Sequence, residues 1–178
     1  MNRVEALMPN RREDVRVIAR LWDELSETLG CETAEKLLCE AISAENAATG
    51  RRAARAAFAA EGQTSLEHFI KAFRARKNDG GLAMADAAII GDELTLTVMR
   101  CDYPTLYHNS KLPTALADLL SCGGEKAFAR GYDHRLELVE YVPTDNRCTS
   151  CRLIYRWNHG ALPPTEPADE NRLKLKLR

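Results

Sequence analysis

The chain has 178 residues, 45% of them hydrophobic, and its 25 Lys and Arg against 26 Asp and Glu leave a formal net charge of −1. That length suits one domain able to bury its core without staples, and the balanced charge excludes a nucleic-acid footprint or a polybasic membrane anchor. No apolar run is long enough to span a bilayer, and Met1 to Arg12 lacks the apolar core of a signal peptide, so a cytoplasmic protein with neither nucleic acid nor membrane as partner is expected.

Between Arg12 and Leu29, apolar residues at Val15, Ile18, Ala19, Trp22 and Leu25 recur near helical spacing, and Gly30 stops the run. A long helical region follows from Thr33 to Ala60. Ala34, Leu37, Leu38, Ala41 and Ile42 form its first apolar stripe, Gly50 is a candidate break, and the alanine-rich piece from Arg51 has high helix propensity. Arg51, Arg52 and Arg55 read as a solvated helix face. Gly62 ends the region. Thr64 is the expected cap of the next helix, with Glu67 in capping-box position and Leu66, Phe69, Ile70 and Phe73 as the buried face. Asn78-Asp79-Gly80-Gly81 closes the helical half.

The period then changes. Leu82 to Ile90 and Glu93 to Arg100 flank Gly91-Asp92, a hairpin signal. Alternation in the second run puts Leu94, Leu96 and Val98 on one face, and Thr95, Thr97, Met99 and Cys101 on the other. Tyr103-Pro104 forces a turn, and a single helix is expected from Pro113 to Arg130, stopped by Gly131. His134 to Val142 and Thr149 to Trp157 are two further strands. The architecture is therefore α+β: N-terminal helices, then a β-β-α-β-β unit forming an antiparallel sheet packed against helices. We expect a single domain over 1–160 and a mobile tail over 161–178.

Candidate chemistry gathers between Thr95 and Trp157, where Cys101, Cys122, Cys148 and Cys151 lie near Asp102, His108, Asp118, Glu125 and His134. Long helical patterns without an export signal favour reduced thiols over disulfides. Three readings of the thiols stand side by side. Cys148 and Cys151 with Cys101 and Cys122 are a candidate four-thiolate zinc site, although only one pair is close in sequence, so no metal ligand is assigned. Cys122 is a candidate nucleophile on a helical stripe with Asp118 and Glu125, although flanking carboxylates raise a thiol's pKa. The third reading is packing, since free Cys is among the most buried residue types; it applies most strongly to Cys31 and Cys39. Gly123-Gly124 is costly inside a helix, at about 1 kcal/mol for each Gly relative to Ala, and invites close approach to the backbone.

Several of these segments resemble the L-2-amino-thiazoline-4-carboxylic acid hydrolase family. The likeness runs from about Thr33 to Trp157 and includes Ala34 to Ile42 followed by Gly50-Arg51-Arg52. Cys101-Asp102-Tyr103 is similar to the family's strand-ending Cys-x-Tyr, and Cys122-Gly-Gly-Glu125 to its Cys-x-x-Asp, with Glu in place of Asp. Cys151-Arg-Leu-Ile-Tyr-Arg is similar to its closing Cys and aromatic-basic strand. The resemblance implies hydrolysis of a cyclic isothiourea to a carbamoyl-cysteine, acting on a C–N bond of a small-molecule substrate, with no cofactor assigned.

On that reading Cys122 is the nucleophile or an orienting group and Glu125 the acid/base, with Cys101 and His108 beside them. Asp102, Tyr103, Cys151 and Arg152 bind substrate. Arg100, Arg147 and Arg152 are candidates for holding the substrate carboxylate. The alternative is a non-catalytic module that binds a small molecule or a metal in the same cysteine-lined pocket. A homo-oligomer formed through the alanine-rich helix is a third candidate.

Overall fold

The computed structural model describes residues 9–77, 81–144 and 149–161. Its first half is helical: α1 is Pro9–Leu29, α2 is Cys31–Glu61 and α3 is Leu66–Arg76. Helix α1 lies along α2 through Ile18, Ala19, Trp22 and Leu25, which pack on a small core of Leu38, Leu112 and Leu116. Helix α3 begins at a different cap from the one expected. Ser65, not Thr64, accepts the backbone N–H of His68 at 3.2 Å, while the Thr64 hydroxyl donates to Asp133 Oδ2 at 2.6 Å and ties this corner to the strand half.

Gly50 does not break α2. The helix runs through it because a close neighbour, not a turn, requires the glycine there. A Cβ at Gly50 would stand 2.2 Å from the Phe128 carbonyl oxygen, and one at Gly131 would stand 2.1 Å from that of Ala47. Both glycines lie where α2 crosses the later helix Gly124–Tyr132, so Gly131 sits inside that helix and does not end it.

Four strands make one antiparallel sheet: β1 (Leu82–Ile90), β2 (Glu93–Cys101), β3 (Leu136–Pro143) and β4 (Cys151–Trp157), in the order β1-β2-β4-β3. Leu94 lies opposite Tyr155, Leu96 opposite Leu153 and Val98 opposite Cys151, so the inward residues of the two central strands face a common core. Phe69 of α3 sits at its centre, 4.9 Å from the Tyr155 ring, 5.3 Å from that of Tyr132 and 5.5 Å from that of Phe128. Burying side chains of this size contributes about 1.5–3 kcal/mol each.

Simple alternation fails at the end of β2. Pairing with β1 slips between Ala83 and Met84, which face Arg100 and Val98, so Met99 is the extra residue of a bulge. Met99 turns out to solvent, and Cys101 swings to the buried face beside Val98, opposite to the expected side. Beyond it, Tyr103-Pro104 does not simply turn the chain. It opens a short helix α4, Tyr103–His108, with the proline in the first turn where its missing N–H costs nothing.

The expected single helix after Pro113 is three pieces. Thr114–Asp118 (α5) leads into a wide π turn at Leu119–Gly123, and Gly124–Tyr132 (α6) follows. The wide turn admits an extra residue and breaks the register of the predicted stripe. Asp118 is 61% exposed while Glu125 is almost fully buried, so the two carboxylates no longer share a face. The expected tail beyond Ala161 and the turn residues Asn146, Arg147 and Cys148 lie outside the described residues.

Candidate active site

Glu125 anchors the site. It is 2% exposed in the first turn of α6, and its two oxygens are held by separate cations. Arg76 Nη1 donates to Oε2 at 2.6 Å and Lys77 Nζ to Oε1 at 2.8 Å. Both cations come from the end of α3, where sequence position alone reads as a solvated helix terminus. Their charged heads lie over rings: the Arg76 guanidinium is 4.7 Å from the centroid of Phe128, and Lys77 Nζ is 4.4 Å from that of Tyr103. Arg76 Nη2 also donates to Asn46 Oδ1 at 2.5 Å. Gly124 makes that bond reachable, because a Cβ there would meet the Asn46 amide nitrogen at 2.5 Å.

Burial alone pushes the Glu125 carboxyl up. Lys77 and Arg76 more than offset it, and the net shift is downward. An ionised carboxylate taken up by two cations is poorly suited to donate a proton.

Cys101 and Cys122 meet beside this anion. The hydrogen bond between their side chains, together with burial, pushes the Cys101 thiol far up, so Cys101 stays protonated. That same bond is the largest influence drawing Cys122 down to about 7, against burial, with further help from the Lys77 charge. Glu125 does raise Cys122, as expected of a neighbouring carboxylate, but the thiol donor and the ammonium outweigh it. Tyr141 of β3 adds its hydroxyl 4.0 Å from Cys122 Sγ, within sulfur hydrogen-bonding reach. A thiol drawn to near neutrality carries a substantial thiolate fraction, which is what a nucleophile needs.

Cys122 opens onto a cavity of about 450 Å³, floored by Ser121, Cys122 and Gly123 of the π turn. His108, Lys126, Leu138 and Tyr141 stand around it. His108 Nε2 is 3.1 Å from Asp118 Oδ1, so the carboxylate that leaves the helical stripe returns as the partner of an imidazole at the cavity's edge.

The remaining expected residues distribute unevenly. Cys151 is buried in the same core as Cys101. Its neighbour Arg152 alternates to the opposite, exposed face of β4, which takes it away from the thiols. Tyr103 is buried over Lys77, and Asp102 Oδ2 lies 3.4 Å from Arg100 Nε. His134 stands at the other end of α6, 3.6 Å from Asp133. Among the described residues no group of three or more His, Cys, Asp or Glu is arranged to hold a metal ion; Cys148 of the weighed zinc site lies outside them.

Sequence reasoning missed Arg76, Lys77, Asn46, Lys126 and Tyr141. For Tyr141 simple alternation points the wrong way, because a register shift between Leu138 and Glu140 brings it to the face of Leu136 and Leu138. For Arg76 and Lys77 there was no signal, because only the fold brings a helix terminus against Glu125.

No helix among the described residues is long and apolar enough to cross a membrane. No curated protein matches the chain. Among solved structures it is similar to the phenol-responsive sensory domain of the transcription activator PoxR, crystallised with phenol. That likeness has 14% identity over 80% of this chain and 73% of that one, with a TM-score of 0.46. The model of the L-2-amino-thiazoline-4-carboxylic acid hydrolase family matches residues 10–144, which takes in α1 and ends before β4 and Cys151. With Cys101, Cys122 and Glu125 inside that span, the chain belongs to the L-2-amino-thiazoline-4-carboxylic acid hydrolase family, whose hydrolases open the thiazoline ring at a C–N bond.

Proposed function

We propose that the ring is opened in the Cys122 cavity, with Cys122 as the nucleophile. The observation that carries this is a thiol held near neutrality by Cys101 and Lys77 at the floor of a cavity large enough for a five-membered ring with its amino and carboxylate groups. The thiolate adds to the ring carbon between nitrogen and sulfur. As the bond from that carbon to the ring nitrogen breaks, the nitrogen takes a proton. Water then displaces the Cys122 sulfur, and the carbon remains as the carbamoyl group of a carbamoyl-cysteine. His108, held by Asp118 at the cavity's edge, is the proton donor we assign, and Lys126 the cation for the substrate carboxylate.

Glu125 takes a different part from the acid/base role expected of it. It is a positioning residue, keeping Lys77 beside Cys122 and Arg76 against Asn46. The test is turnover of 2-amino-thiazoline-4-carboxylate by Cys122→Ser, with folding checked by circular dichroism. A loss of roughly a hundredfold or more is expected, the scale on which removing a nucleophile is felt. Wild-type rates in that variant would remove the proposal.

A further inference from the structure

Cys122 and Cys101 stand differently toward the cavity. Cys122 is part of its floor, with Pro104, Leu138 and Tyr141 around it, so a small molecule entering from solvent meets this thiol. Cys101 is 3% exposed and lies behind it at the end of β2, where the bulge at Met99 turns it inward. Both thiols are free, and their side chains are hydrogen-bonded to each other, so the two sulfurs are already neighbours. The backbone around Cys101 is fixed. Its N–H donates to the Thr149 carbonyl at 2.6 Å, and the N–H of Asp102 donates to the Gly81 carbonyl at 2.8 Å. Cys122 belongs instead to the π turn, which ends at Gly123 and is followed by Gly124. A reachable sulfur on a glycine-flanked turn thus meets a sheltered sulfur on a fixed strand, the arrangement of an attacking thiol and a resolving partner.

The charges suit the same order of events. A thiolate, not a thiol, attacks a peroxide, and of the two it is Cys122 that carries the thiolate while Cys101 keeps its proton. Once oxidised to a sulfenic acid, Cys122 is uncharged, and the negative charge that held the proton on Cys101 is gone. The Lys77 ammonium, which favours the thiolate form of both cysteines, remains.

We propose that Cys122 and Cys101 form a peroxide-driven redox pair, in which Cys122 reduces a small hydroperoxide at the cavity floor and Cys101 then closes a disulfide on it. The Cys122 sulfur attacks the peroxide oxygen that bears hydrogen. An S–O bond forms, the O–O bond breaks, and the leaving alkoxide or hydroxide takes a proton from water. The Cys101 sulfur next attacks the sulfur of the sulfenic acid. The S–S bond forms as the S–O bond breaks, and the departing hydroxide leaves with the Cys101 proton as water. The peroxide has gained two electrons and the thiol pair has lost two; a dithiol reductant returns them and itself becomes a disulfide. Loss of ring opening on oxidation rests on the ring-opening proposal, whereas the cross-link itself does not.

The cross-link is read without turnover, so its failure and that of ring opening are told apart. The wild-type chain is treated with a few-fold excess of hydrogen peroxide at neutral pH, its remaining thiols are capped with iodoacetamide, and it is digested with trypsin without reduction. Trypsin places Cys101 in 101–111, Cys122 in 112–126 and Cys151 in 148–152. Mass spectrometry is expected to find 101–111 joined to 112–126 in chains that stay monomeric on a denaturing gel, and dithiothreitol should separate them. In Cys101→Ser the sulfenic acid has no partner, and a dimedone adduct on Cys122 should build up several-fold over wild type. If that variant does not fold, the wild-type map decides. Cys122 carried straight to the sulfinic acid, a link from Cys122 to Cys151 or to another chain, Cys122 left reduced, or equal dimedone labelling in the two folded chains would each overturn the pair.

Discussion

Helix α6 meets α2 in two different ways at its two ends. At the C-terminal end Gly131 and Gly50 let backbone touch backbone, and nothing polar is spent on the contact. At the N-terminal end Gly124 admits the Asn46 amide, which steadies Arg76, which with Lys77 holds Glu125. The dry crossing sets where α6 lies, and the polar seam sets what charge stands beside Cys122. The same residue type therefore serves packing at one end and chemistry at the other, and only the identity of the neighbour distinguishes them.

The largest effect should come from dismantling the seam. Glu125→Gln leaves two buried cations without their anion, and we expect a loss of about 3–5 kcal/mol in chemical denaturation at neutral pH. Its pH dependence has a definite sign. The folded carboxyl lies below its ordinary value, so its contribution is present above that value and is lost as pH falls through the lower, folded one. The wild-type urea midpoint should therefore drop in the acid range more steeply than that of Glu125→Gln. Parallel curves would show that the seam stores no such linkage.

The crossing comes next. Gly131→Ala must force its Cβ off the Ala47 carbonyl, and a backbone neighbour cannot swing away. About 3 kcal/mol of destabilisation is expected despite the roughly 1 kcal/mol gain in helix propensity. A neutral or stabilised variant would mean that the helices are not clamped there.

Cys101→Ala probes the seam's effect on reactivity. Without the thiol donor, the midpoint of Cys122 alkylation against pH should move up from about 7 toward the unperturbed value of about 8.5, while stability changes less than in either variant above. A midpoint that stays put would assign the activation to Lys77 alone.

The smallest effect should be Gly124→Ala. Here the obstructing group is a side-chain amide that can turn aside, so the lost Asn46–Arg76 bond, about 1 kcal/mol, is nearly offset by helix propensity. The informative measurement is the double-mutant cycle with Asn46→Ala, in whose background Gly124→Ala should stabilise by about 1 kcal/mol, the helix-propensity gain alone. The same near-zero effect in both backgrounds would break the chain from Gly124 to Arg76.

Much of the fold was legible because it rests on local periodicity. Apolar spacing located α1, α2 and α3, the Gly91-Asp92 pair marked the hairpin, and alternation in β4 put Cys151, Leu153, Tyr155 and Trp157 on one buried face. The meeting of Cys101, Cys122 and Glu125 was legible only as a gathering in sequence. Alternation itself pointed Cys101 the wrong way, since a bulge depends on the register of a partner strand and not on β2 alone. An ideal helix likewise aligned Asp118 with Glu125, and the π turn separated them.

What the amino-acid order determined by itself was the succession of elements, the α+β class and the motif series that marks the family. Those depend on residues a few positions apart, whose propensities and spacing act locally. What the tertiary structure decided was the electrostatics. Whether Cys122 is an inert thiol or a reactive one depends on Lys77 and Cys101, which arrive from other elements, and a buried charge is strong or weak according to what stands within a few ångströms of it.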